Sequence, residues 1–262
     1  MSIPYISNPL AHLQKVRDLT VIDINETQYM VVACDSDGGI GTKELDVVQV
    51  PEEVLGAFAV RVPLFELIAS GAVPMLVVDC LSVEMDGTGE KLIRSIKAYA
   101  ARAGLLSDDQ FTGSTEDNVP TRQTGIGITV LGLVDKASFY PGKAQAGDVV
   151  VCAGIPKSAP QHEVRLDDPD ILTIEDLIKL RNQPAIGDML PVGSKGLRYE
   201  ANQLALYAGL SFIENESARV ALDQSGGPST CVLFVVKSES VATLAAQIQS
   251  PLEVIGTLQS RT

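Results

Sequence analysis

Asp35-Ser36-Asp37-Gly38-Gly39-Ile40-Gly41-Thr42-Lys43 is the densest loop signal in the chain, and the reading of the fold turns on it. Three glycines let a backbone turn sharply and bring N–H groups close to an oxyanion, Thr42 and Lys43 add a hydroxyl and a cation, and Asp35 and Asp37 stand at the mouth. That is the inventory of a loop for a Mg-nucleotide. It fits neither GxxxxGK[ST] nor GxGxxG, and Asp–Gly–Gly clusters are also common in hairpin turns, so on the residues alone a turn and a phosphate loop both fit.

Outward from this loop the chain reads as mixed strands and helices. Upstream, Asn8-Pro9 looks like an N-cap with a first-turn proline, and Leu10, Leu13 and Val16 recur at helical spacing, which predicts a helix over 8–18. Strands follow at 19–24 and 28–34. Downstream, 52–70 reads as a helix closed by Gly71, with a kink or break at Pro63. Then come a strand at 75–83, an amphipathic helix over 89–106 ending near Gly104, a polar stretch over 107–123 and a strand at 124–134. Composition shifts around 136–148, and a second alternation begins. It holds a strand at 148–154, a charged segment at 163–170, helix 174–181, a loop at 186–196, helix 197–209, strand 231–236, helix 238–249 and strand 251–258. No tandem repeat links the halves. The expectation is an α+β architecture in two domains, 1–136 and 137–262.

Composition removes whole classes of function. With 20 Lys plus Arg against 33 Asp plus Glu, the formal charge of the 262 residues is −13, and the basic residues are scattered singly. Phosphate-neutralising contact with nucleic acid needs a cationic face. Hydrophobic residues at 45% suffice for a buried core. The start lacks the pattern of an export signal, and the most apolar stretch, 54–83, is interrupted by Arg61, Glu66 and Asp79, so neither secretion nor a membrane span is expected and the cytoplasm is the default. Cys34, Cys80, Cys152 and Cys231 show no CxxC spacing and read as reduced core residues within strands. Two histidines, His12 and His162, make a histidine-rich zinc site improbable.

The order of motifs carries more than any one of them. Asp37-Gly38-Gly39-Ile40-Gly41-Thr42-Lys43 resembles, with one extra glycine, the D-G-x-G-T-K signature of the aminoimidazole ribonucleotide (AIR) synthetase superfamily, which includes thiamine-monophosphate kinase and selenophosphate synthetase. Phe65-Glu66-Leu67, Gly71-Ala72-Val73-Pro74 and Asp79 follow in the family's order. So do Gly113-Ser114-Thr115-Glu116, Gly127 to Gly132, Pro141-Gly142 with Gly147-Asp148, and the Asp188 to Leu197 loop. Glu66 stands where most members have Asp, Glu116 comes one residue late, and the second half is short for the family.

The resemblance implies a two-domain AIR-synthetase-like fold whose N-terminal domain forms an intersubunit β-barrel in a homodimer. It implies ATP and Mg²⁺ as cofactors and a small-molecule substrate. Asp37, Glu66, Asp79 and Glu116 would hold metal, and Gly38, Gly39, Ile40 and Gly41 would offer backbone N–H groups to phosphates. Thr42, Lys43 and Arg122 would contact phosphate oxygens, Ser194 and Lys195 would face substrate, and Asp35 would serve as a base or orienting group near the acceptor. Five solvated or helix-capping acids are the plain alternative for Asp35, Asp37, Glu66, Asp79 and Glu116. Glu66 and Asp79 weigh against it, because each lies in an apolar stretch where a charge is costly unless paired. The expected activity is phosphorylation of a small nucleoside-like alcohol, with α-ribazole as the named substrate. An AIR-synthetase-like ligase, a thiamine-monophosphate kinase and a non-catalytic ATP-binding homologue are the alternatives.

Overall fold

In the computed structural model, which describes residues 9–261, the chain enters through a 3-10 turn at Pro9–His12 and goes straight into strand β1 (Leu13–Val16). The helix expected over 8–18 is therefore not formed over the described part of that range. A two-residue turn at Arg17-Asp18, with Arg17 at φ 56, folds β1 back on β2 (Leu19–Asp23), pairing Val16 with Leu19 and Leu13 with Ile22. Leu10 and Leu13 stay exposed, so a helical stripe here would have had no core to face.

β3 (Gln28–Gly38) pairs with β2 and, over its whole length, with β8 (Gly125–Asp135). The minimal strands β4 (Ile40–Gly41) and β5 (Val48–Gln49) pair in parallel beside it. β6 (Val73–Leu81) lies on the other side of β8, and β7 (Phe111–Ser114) pairs in parallel with β6, completing a six-stranded sheet in the order β1-β2-β3-β8-β6-β7. Helices α1 (Glu52–Ser70) and α2 (Glu90–Ala101) pack on each other, and α1 lies on one face of this sheet.

α1 runs unbroken through Pro63, contrary to the expected kink. It is buried on nearly every side, and that packing holds the turn in which the proline removes one hydrogen bond. Gly71 closes it in the left-handed conformation at φ 99.

The rest of the chain builds a five-stranded antiparallel sheet, β10-β12-β9-β13-β11, from β9 (Val149–Ala153), β10 (Asp188–Pro191), β11 (Leu210–Glu214), β12 (Val232–Val236) and β13 (Leu252–Ser260). Helices α3 (Ile174–Arg181), α4 (Gly196–Tyr207) and the short α5 (Val241–Ala245) accompany it. β9 and β12 are buried throughout. Val151, Ala153 and Phe234 join a core shared with Leu64, Phe65, Leu67, Val77 and Ile128 of the first half. The alternate residues Val150, Cys152, Leu233 and Val235 meet Leu197, Ala201 and Leu204 of α4. The six-stranded sheet is thus built from residues before the composition shift and the five-stranded sheet from residues after it, while α1 packs against both.

The face of the six-stranded sheet turned away from α1 carries apolar residues in register. One cross-strand row runs Thr20, Val32, Leu131, Leu76 and the next Ile22, Met30, Leu133, Val73. Val73 is 69% exposed, and Cys34 and Cys80 are exposed on the same sheet, which corrects their assignment to the core; only Cys152 and Cys231 are buried. No helix among the described residues is long and apolar enough to cross a membrane.

Candidate functional site

β3 carries the site out of the core. Alternate residues on one face of a strand run Val31, Ala33, Asp35, Asp37: the first two are buried among apolar neighbours, and the next two emerge into a cavity of about 1260 Å³. Their partners on β8 are Ile128 and Ile126, both buried. Burial therefore raises the Asp37 carboxyl to about 6, with the Asp35 charge adding to the effect. Burial also raises Asp35, against a hydrogen bond from the Ser36 N–H.

One wall of the cavity is the α1 stripe Val54, Phe58, Val62, Glu66, at the four-residue spacing of one helix face. The second half supplies the opposite side through Ser158 to Arg165, Val192 to Lys195, and Ser225 with Gly227 to Ser229. Asp35, Asp37, Ile40, Glu66, Ser194 and Lys195 of the expected set thus meet in one place. The cavity is acidic at one end. Burial first, then the charges of Asp18 and Glu200, push Glu66 well above the usual carboxylate range. Glu200 is raised to about 7 by burial and by Asp18, against a Gly193 N–H and the charges of Lys195 and Arg17. The cationic side comes from Lys195, whose ammonium donates to the Tyr199 hydroxyl at 3.2 Å, and from Arg165 on the long second-half loop, which pairs with Asp167 at 2.8 Å; His162 lines the cavity from the same loop.

The glycine loop is braced from within. The Gly39 N–H donates to the Thr124 carbonyl at 2.9 Å, and the Gly39 carbonyl accepts from Val47 at 2.7 Å and Val48 at 3.2 Å. Buried Asp46 accepts the Lys43 N–H at 2.8 Å, the Thr124 N–H at 2.8 Å and the Thr124 hydroxyl at 2.7 Å. Gly41, at φ 149, leaves no room for a side chain, since a Cβ would meet Thr124 Oγ1 at 2.6 Å and Asp46 Oδ2 at 2.7 Å. Of the Gly38 to Gly41 amides expected to face phosphates, that of Gly39 is engaged within the fold, as is the nearby Lys43 amide.

Several expected contacts lie elsewhere. The Thr42 hydroxyl donates to the Glu52 carboxylate. Lys43 turns to a second cavity of about 650 Å³, where its ammonium meets Glu84 at 2.6 Å and the Thr121 carbonyl at 3.2 Å. Arg122 pairs with Glu44 at 2.6 Å on the surface. Asp79 is buried between Val77 and Leu81 on the core side of β6, raised by burial against the Lys97 charge. Glu116 accepts the Asn118 N–H at 2.8 Å in a local turn, and its neighbour Asp117 lines the smaller cavity instead.

Among the described residues no three His, Cys, Asp or Glu side chains group closely enough to hold a metal ion, so Asp37, Glu66, Asp79 and Glu116 do not form one centre. Mg²⁺ commonly takes only one or two carboxylates, filling its octahedron with phosphate oxygens and water. The Asp35–Asp37 pair fits that demand.

Sequence reasoning passed over Asp18, Asp46, Arg165 and Glu200, met His162 only in setting aside a zinc site, and met Asp188 only as the start of a family-like loop. Glu200 left a trace, standing among Leu197, Ala201 and Leu204 on the buried stripe of α4. Asp188, wholly buried, takes both Arg17 nitrogens at 2.5 and 3.1 Å and the Gly142 N–H at 2.8 Å, tying the β1–β2 turn to the second sheet. No local pattern announces that pairing.

Residues 16–134 match the family model described as AIR synthase related protein, N-terminal domain. The fold is shared with several solved structures. The thiamine-monophosphate kinase of Stenotrophomonas maltophilia K279a aligns over 96% of this chain and 90% of its own, at 18% identity and a TM-score of 0.60. The thiamine monophosphate kinase of Aquifex aeolicus aligns over 94% and 90%, at 16% identity and a TM-score of 0.64. T. maritima PurL complexed with ATP aligns over 92% of this chain and 42% of its own, at 14% identity and a TM-score of 0.64. Likeness at these identities speaks for the fold. No match to the chain was found among curated proteins.

Proposed function

We propose that the chain is an ATP- and Mg²⁺-dependent enzyme that transfers a phosphoryl group to the hydroxyl of a small molecule in the 1260 Å³ cavity. The observation that carries this reading is the meeting of Asp35 and Asp37 with Ser194 and Lys195 across one cavity, from opposite halves of the chain. In support, one solved structure with this fold is a thiamine-monophosphate kinase described as complexed with AMPPCP and TMP.

Phosphoryl transfer asks a protein chiefly to position groups and to neutralise charge. Asp35 and Asp37 would hold Mg²⁺, which when bound neutralises the polyphosphate. With both carboxylates raised by burial, the site gains from a cation that offsets their charge. Asp35, the less buried of the two carboxyls, would accept a hydrogen bond from the acceptor hydroxyl. Lys195 supplies positive charge on the opposite side, and Ser194 a hydroxyl.

The nucleoside-like alcohol, α-ribazole by name, and thiamine monophosphate are the two substrate arms of the test. A homodimer joined through the uncovered apolar sheet face, with residues 1–136 and 137–262 as its domains, completes the proposal. A binding-only protein is the second reading, favoured by the internally engaged amides of Gly39 and Lys43. ADP release separates the two. The wild-type chain should release ADP from Mg-ATP with an acceptor present, and Asp35→Asn and Asp37→Asn should each lose at least roughly a hundredfold, the scale of a lost charge-stabilising contact. Unchanged turnover in both variants would remove the site assignment.

A further inference from the structure

Arg61 is the largest fully buried side chain among the described residues, and none of its hydrogen-bond partners is a carboxylate. It sits on α1 beside Val62 of the cavity stripe and points into the second half. Its Nε donates to the carbonyls of Pro228 and Ser229, each at 3.2 Å, and Nη2 donates to the Ser229 carbonyl at 2.8 Å and to the Leu172 carbonyl. Nη1 donates to the Tyr99 hydroxyl at 2.8 Å, and the guanidinium stacks 3.9 Å from the Phe65 ring centre.

A buried cation without a counter-ion is costly, and a planar fork of donors offsets that cost only where acceptors stand in fixed directions. Here the acceptors belong to two segments. Leu172 ends the long loop whose Ser158 to Arg165 portion lines the cavity, and Pro228 and Ser229 belong to a second loop that lines it on the same half. The two roots are joined to each other, since the Leu172 N–H donates to the Thr230 carbonyl at 2.8 Å. Ser229 is held at φ 51, a left-handed backbone that a serine keeps only when its surroundings impose it.

We propose that Arg61 is a positioning residue: through the carbonyls of Leu172, Pro228 and Ser229 it holds both second-half loops against α1, setting their cavity-facing side chains opposite Asp35 and Asp37. The hold on the loops follows from the geometry, and its consequence for turnover rests on the functional reading above. One side chain of the first half thereby governs the shape of the wall that the second half contributes.

Hydrogen exchange of the full chain tests this, comparing wild type with Arg61→Met, which keeps bulk, and Arg61→Lys, which keeps the charge but not the fork. Amides over 155–172 and 225–231 should exchange at least about tenfold faster in both variants, and less so in Arg61→Lys, while those of β3, β8 and β12 keep wild-type protection. Unchanged loops would overturn the proposal. So would equal acceleration in β3, β8 and β12, or failure of both variants to fold, because Arg61 would then serve global stability instead. The readout involves no ATP, so a wild-type chain without turnover would overturn the functional reading and leave this test standing.

Discussion

Replacing Glu200 by glutamine should make the protein more stable at pH 8 and change it far less at pH 5. Glu200 is 8% exposed, and its carboxyl is raised from 4.5 to about 7 by burial and by the neighbouring Asp18. A carboxyl whose folded-state pKa is raised binds its proton more tightly when folded. Stability therefore falls as pH rises from about 4.5 through about 7, where the folded chain must ionise a buried group. At ~1.4 kcal/mol per unit the full cost is about 3 kcal/mol. A glutamine in its place is neutral at every pH and retains an oxygen for the Gly193 N–H, so it escapes most of this cost. Partial solvent screening leaves a gain of roughly 1–3 kcal/mol at pH 8, a rise in Tm on the order of 5 °C for a chain of this size. Thermal melts of both proteins at pH 5, 6.5 and 8 read it directly. A lower Tm for the variant at pH 8, or the same shift at pH 5 as at pH 8, would refute the assignment of Glu200 as a carboxyl held protonated by its surroundings.

Three other substitutions probe the frame around the cavity. Asp46→Ala removes the acceptor of the Lys43 and Thr124 N–H groups and should cost roughly 2–4 kcal/mol in urea unfolding, with the loss traced to the 39–46 loop by hydrogen exchange. Arg17→Met strands the buried Asp188 carboxylate and should cost about 3–5 kcal/mol, whereas Arg17→Met with Asp188→Leu should recover part of it. A chain destabilised by less than about 1 kcal/mol in Arg17→Met would contradict a paired buried charge. Under the proposed homodimer, Leu131→Arg at the centre of the uncovered sheet face should lower the mass seen by light scattering to that of the 27.8 kDa monomer without loss of helix content, and a monomeric wild-type chain or an unchanged mass in the variant would refute a dimer through this face.

Local pattern was enough where local pattern decides structure. Helix 174–181 is read at its observed bounds, although the Thr173 side chain that caps it by accepting the Asp176 N–H went unread, and the strand that becomes β8 shows the alternation of a half-buried sheet. Reading failed where a backbone pairs with something distant. β7 sits inside a polar stretch and exists because it pairs with β6, and β10 sits inside a glycine-bearing loop and exists because it pairs with β12. The same limit governs the site. The acids at 35 and 37 stand out in the sequence, and their placement in the cavity follows from strand alternation. The fate of the glycine loop does not, because Thr124, which accepts its Gly39 amide, lies far along the chain, and Asp46, which caps Lys43, carries no mark of burial in its neighbours. Thr42, Lys43 and Arg122 likewise find protein carboxylates that only the folded chain brings to them.

Phosphoryl transfer leaves a mass signature on the acceptor, which mass spectrometry of the products reads. Purified protein is incubated with ATP, Mg²⁺ and either α-ribazole or thiamine monophosphate, with a magnesium-free control. The expected products are ADP and an acceptor heavier by one phosphate, dependent on Mg²⁺ and lost in Asp37→Asn. Intact ATP with every acceptor, alongside thermal stabilisation by Mg-ATP, would contradict phosphoryl transfer and leave a nucleotide-binding protein without the chemistry.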